Sequence, residues 1–106
     1  MITLDDFKKV EIRIGTIIKV EDFPEAKNPF YKLLIDFGDC IKKSSAQITM
    51  YKKDDLLNRQ IIAVMNFPTK QIANFISEVL VLGAVFDDKV VLLKPEKNVP
   101  NGCRIL

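Results

Sequence analysis

The chain has 106 residues, 48% of them hydrophobic and 28% charged, with a net charge of +2. That length suits one domain with a real core and no staples, and the composition excludes disorder. Its longest apolar runs, about five residues, are too short to cross a bilayer, and the lack of histidine removes the commonest general base and metal ligand.

Met1-Ile2-Thr3-Leu4-Asp5-Asp6 lacks the basic and long apolar regions of a secretory signal, so a cytoplasmic protein is expected. Thr3 can cap a short helix, with Asp6 at N3 in the place a Glu usually takes in a capping box. Leu4, Phe7, Lys8 and Val10 then give a short amphipathic turn or two. Residues 11–20, EIRIGTIIKV, alternate as a half-buried strand does. Ile12, Ile14, Ile18 and Val20 are expected on one face, with Glu11, Arg13 and Lys19 on the other. Gly15 predicts a bend or bulge. The two prolines of residues 22–29, DFPEAKNP, mark a loop.

Residues 30–37, FYKLLIDF, read as a second strand with Tyr31, Leu33, Ile35 and Phe37 as its apolar row. Gly38-Asp39 turns the chain. Residues 40–49, CIKKSSAQIT, form a third strand that is unusually polar. KKDDLLNR (52–59) predicts a short helix or turn. QIIAVMNF (60–67) reads as a buried fourth strand, and SEVLVLGAV (77–85) as a fifth. Asp87-Asp88 turns into KVVLLKP (89–95), and a tail punctuated by Pro and Gly follows. Short, regularly spaced strands with one helix between the third and fourth predict an all-β fold. The expected form is a five-stranded Greek-key barrel of the OB type, with a short N-terminal helix and a C-terminal strand and tail. Residues 1–106 are expected to form this single domain.

Little in the chain supports catalysis. No serine, cysteine or paired carboxylate has the spacing of a nucleophilic motif, and no phosphate-cradling glycine loop is present. Cys40 and Cys103 are far apart and read as free thiols. A binding protein without metal or cofactor is expected. Basic charge concentrates in residues 40–77, which hold six bases and two acids, +4, against −2 for residues 1–39. This is a mild electrostatic footprint.

Two stretches are too polar for their place. In KKSSAQIT (42–49), Lys43, Ser45 and Gln47 share one face and Lys42, Ser44 and Ala46 the other. The run is either an exposed edge strand blunted by lysine or a polar binding face on the barrel. In NFPTKQIANFISE (66–78), Ser77 and Glu78 follow a hydrogen-bonding loop of Asn66, Thr69, Lys70, Gln71 and Asn74, which holds Phe67 and, nearest the strand, the Phe75 ring. That ring is either a plug beneath the loop or a surface that stacks on a ligand.

Five blocks in order resemble the CsaA-type secretion chaperones, a branch of the OB-fold tRNA-binding domain family. They are DDFKKVEIRIGTI (5–17), KLLIDFG (32–38), KKSSAQIT (42–49), IAVMNFPTKQIANFISEVLVLGA (62–84) and VVLLKPEKNVPNG (90–102). The resemblance implies a cytoplasmic homodimer, with Leu4, Phe7 and Val99 as candidate interface residues. It implies a ligand surface at Lys43, Ser44, Ser45, Gln47, Asn66, Lys70, Phe75, Ser77 and Glu78. The implied ligands are unfolded precursor polypeptides, bound without ATP, with tRNA as the alternative. No membrane insertion is implied. Relatives that bind tRNA tend to have a Ser-x-Gly-Met run where this chain has Ser77-Glu78-Val79-Leu80. The Glu78 carboxylate is therefore expected to disfavour phosphate.

Overall fold

In the computed structural model, which describes residues 1–106, Thr3 opens helix α1 (Leu4–Lys8) with a full capping box. Its hydroxyl accepts from the Asp6 amide and the Asp6 carboxylate accepts from its own. The helix leads into the long strand β1 (Ile12–Asp22), which runs antiparallel to both β2 (Tyr31–Asp36) and β4 (Gln60–Val64). Strand β3 (Ile41–Ala46) lies beyond β2. Helix α2 (Lys53–Leu56) joins β3 to β4 and sends Leu56 into the core. The spatial order β3-β2-β1-β4 is a Greek key. The whole is a nearly closed, five-stranded antiparallel barrel, the expected OB fold.

Alternation explains most of the core. Tyr31, Leu33, Ile35 and Phe37 are all buried, as are Ile61, Ala63 and Val64 of β4. Strand β1 breaks the expected pattern. Its first half buries Ile12 and Ile14, but its register shifts between Ile17 and Lys19. One extra residue in a strand exchanges its faces. Ile18, the extra residue, is exposed although alternation expects it inside, while Ile17, still in register with Ile35, is fully buried. The predicted irregularity falls just beyond Gly15. Gly15 itself permits a close approach: a Cβ there would lie 2.7 Å from Ile35 and the Phe37 ring.

The stretch after β4 also differs from expectation. Residues 77–85 are not one strand. A small hairpin, β5 (Lys70–Ile72) and β6 (Phe75–Ser77), comes first, turning at Ala73, whose φ is 51°. Then β7 (Leu80–Val81) pairs with β4 and completes the sheet. Strands β8 (Gly83–Phe86) and β9 (Lys89–Leu92) form a second hairpin. Asp87 and Asp88, both at positive φ, make its tight turn.

The tail occupies the side of β1 that β2 leaves free. Ile14 exchanges backbone bonds with Gly102 and Cys103, and the Ile105 amide donates to Ile12. Gln60 fixes Val99 through both backbone groups, at 2.6 and 3.1 Å, and Arg13 donates to the Gly102 carbonyl at 2.9 Å. No helix is long and apolar enough to cross a membrane.

Candidate ligand-binding groove

The barrel closes at a seam between β3 and the segment from β6 to β7, and polar side chains do the closing. The Lys43 amide donates to Glu78 Oε1 at 2.9 Å, and the Glu78 amide donates back to the Lys43 carbonyl at 2.8 Å. The Ser45 amide donates to Ser77 Oγ at 3.1 Å. Ser44 is fully buried, and its hydroxyl donates to the Val79 carbonyl at 3.0 Å. Three of these bonds use the β3 backbone, and among the β3 side chains only the Ser44 hydroxyl takes part. The polarity of KKSSAQ is therefore partly structural.

On the outer side of the seam lies a cavity of about 270 Å³. Nine apolar residues line it, among them Phe30, Ile48, Ile72, Leu80, Val81 and Leu92. Its polar members are Ser45, Gln47, Lys70 and Ser77. A second hollow of about 170 Å³ adjoins it across Lys70, Ser77 and Leu80, and Phe67 and Pro68 complete its wall. Leu80 and Phe67 are about half exposed, so apolar surface faces solvent here. A groove with an apolar floor and a few polar edges suits a flexible ligand that offers one or two apolar side chains and a backbone.

The expected site residues separate into groups. Ser45, Gln47, Lys70 and Ser77 meet at the larger cavity. Glu78 faces the smaller hollow, but Oε1 is held by the Lys43 amide and Oε2 lies 3.9 Å from Lys42 Nζ. Part of its charge is thereby neutralised, which softens the repulsion of phosphate expected of it. Ser44 points inward. Asn66 lies elsewhere: its side chain accepts from the Glu11 amide at 2.9 Å and donates to the Lys9 carbonyl at 2.7 Å, tying the end of α1 to β4. Lys43 and Phe75 line a separate cleft.

In that cleft Phe75 is half-buried and packs edge-to-face on Phe23 at 5.5 Å. The Lys43 ammonium lies 5.5 Å from the centre of the Phe75 ring, and that of Lys32 lies 5.7 Å from it. Phe23 and Lys32 are not among the expected site residues. Alternation on β2 carries a signal for Lys32: it faces away from the Tyr31 row and pairs in register with Ser45. Phe23 has no comparable signal, because it lies in the loop just past β1.

Of the other expected residues, Leu4 is exposed, Phe7 is half-buried, and Val99 is half-buried against Gln60. Both cysteines are free, and burial pushes the Cys40 thiol above its usual range. No group of three His, Cys, Asp or Glu residues could hold a metal ion.

A family model described as "Putative tRNA binding domain" matches residues 12–104. The crystal structure of the CsaA chaperone protein from Picrophilus torridus aligns with a TM-score of 0.94 and 61% identity, over all of both chains. That of the chaperone CsaA from Bacillus anthracis aligns with a TM-score of 0.94 and 50% identity, over 100% of this chain and 99% of the other. The methionine–tRNA ligase of Thermococcus onnurineus is 34% identical over 105 residues, which is 98% of this chain. The chain spans only 14% of that ligase's length.

Proposed function

The chain belongs to the tRNA-binding domain family, in its CsaA branch, and from that premise we propose that it is an export-related chaperone. It holds unfolded precursor polypeptides, as a homodimer and without ATP. The observation that carries this reading is the 270 Å³ cavity, whose apolar walls sit beside Ser45, Gln47, Lys70 and Ser77. An apolar side chain of a client enters the cavity, where full burial contributes about 1.5–3 kcal/mol. The polar edge bonds to the client's backbone, which any sequence offers. Such a site is weak and tolerant, as a holder of unfolded chains needs to be. Two copies on a two-fold dimer raise avidity for a long client without tight single-site binding.

Support for the dimer comes from the β8–β9 hairpin. Alternation puts Phe86 and Val91 on one of its faces, and they are 67% and 43% exposed. Apolar surface of this kind suits a protein partner. Leu4 and Ile2, also exposed, extend the candidate interface to the N-terminal helix.

One observation favours tRNA as the ligand. The ammonium groups of Lys43 and Lys70 have no carboxylate within ion-pair distance. They are free to meet phosphate.

Competition separates the two readings. A labelled unfolded precursor peptide is titrated at low and moderate salt, with and without excess bulk tRNA. The chaperone reading requires peptide binding that survives both. Displacement by tRNA, with tRNA affinity collapsing as salt rises, would make the groove a phosphate-binding surface.

A further inference from the structure

The cleft around Phe75 has a composition of its own. It holds about 130 Å³ and is lined by Lys19, Glu21, Lys32, Leu34, Lys43 and Phe75, with Leu33 at its base. Three ammonium groups thus face one carboxylate. That carboxylate is already engaged, because Glu21 lies 2.8 Å from Lys19. Lys32 has a loose partner in Glu25 at 3.6 Å and faces Glu21 across the β1–β2 pair, and Lys43 has none. The two phenyl rings hold these chains in place. Lys32 Nζ sits 4.8 Å from the centre of the Phe23 ring, and both Lys32 and Lys43 approach Phe75. Such contacts fix a long side chain while leaving its positive charge free for an anion.

We infer that this cleft is a subsite for an acidic side chain, giving the client groove a preference for Asp or Glu close to an apolar anchor. The inference rests on the polypeptide-holding reading and adds a ligand class to it. Size and occupancy favour a carboxylate side chain over a nucleobase. A carboxyl group is far smaller than a base, and the cleft holds only about 130 Å³. Two ammonium groups already approach Phe75, so a base has no free ring to stack on. The layout favours an extended peptide. Lys43 and Ser45 share one face of β3 and Gln47 follows its end, the lysine toward this cleft and the other two toward the apolar cavity. Alternate residues on a strand are about 6.6 Å apart, and a client lying extended along β3 repeats that spacing. An acid two positions from an apolar anchor would fill both subsites together.

The probe is a labelled unstructured peptide with a leucine anchor and an aspartate two positions away. It is compared by fluorescence anisotropy with the same peptide carrying asparagine. The wild-type protein is expected to bind the aspartate peptide about fivefold tighter, as one partly exposed charge pair allows. Lys43→Gln, at an exposed and unpaired side chain, should bring the ratio close to one. Lys32→Gln should do the same, with a thermal melt to confirm folding. Equal binding of the two peptides by wild type overturns the subsite and leaves the polypeptide-holding reading in place. A preference that persists in both variants also overturns it. Binding of neither peptide overturns both proposals. Loss of tRNA affinity in Lys43→Gln, with the peptide ratio untouched, would assign the cleft to phosphate and overturn the acidic subsite.

Discussion

Strand β3 and the β8–β9 hairpin are opposites in composition and in fate. Strand β3 is polar, yet its Ser44 is as buried as any residue in the core. The hairpin is apolar, yet Val85 and Phe86 are among the most exposed large side chains. Side-chain polarity states what a face can satisfy, and neighbours decide what it meets. Ser44 meets the Val79 carbonyl, which needs a donor. Phe86 meets solvent in the single chain, where little covers it.

The contrast can be broken at Ser44. Ser44→Val removes the donor and adds a methyl group where there is no space, so a loss of about 2–4 kcal/mol is expected. Chemical denaturation measures it, and a loss below about 0.5 kcal/mol, the level of an ordinary surface change, would mean that the buried hydroxyl does not hold the seam. Glu78→Ala should come next. It strips the Lys43 amide of its acceptor, at a cost of about 1–2 kcal/mol, and amide exchange at Lys43 should quicken more than at Leu33. Phe86→Ser sharpens the other side of the contrast. Within a single chain its effect on stability should stay within about 0.5 kcal/mol, whereas light scattering should show the proposed homodimer dissociating. A folded dimer of unchanged mass would remove the hairpin from the interface.

The smallest effect concerns α1, outside both regions. The Thr3 backbone amide, then the Thr3 hydroxyl contact, hold the Asp6 carboxyl below the usual aspartate range. A depressed folded pKa stabilises the helix above the unfolded value, and that contribution is lost as pH falls through the folded one. An NMR titration should place the Asp6 midpoint below 3.8. In Thr3→Val the midpoint should rise.

Much of the barrel was legible from period-two alternation. The row Tyr31, Leu33, Ile35 and Phe37 is buried as that pattern demands, and the Thr3–Asp6 box is a local signal that local geometry honours. Ile18 is exposed because the register with β2 slips at it, and nothing in the isoleucine itself marks that slip. The β5–β6 hairpin was hidden because three-residue strands are too short to show a period. Site residues divided in the same way. Ser45, Gln47, Lys70 and Ser77 converge on one cavity, but Asn66, equally polar, serves as a clamp between α1 and β4.

The sequence by itself determined which residues seek the interior, where the chain turns and which helix end is capped. These depend on neighbours a few positions apart. Tertiary structure alone decided that Ser44 and Glu78 close a seam, that Phe23 meets Phe75, and that Lys32 and Lys43 share a cleft. Each of those contacts joins residues from strands or loops well separated in the chain. Backbone closure brings them together, and no local pattern records it.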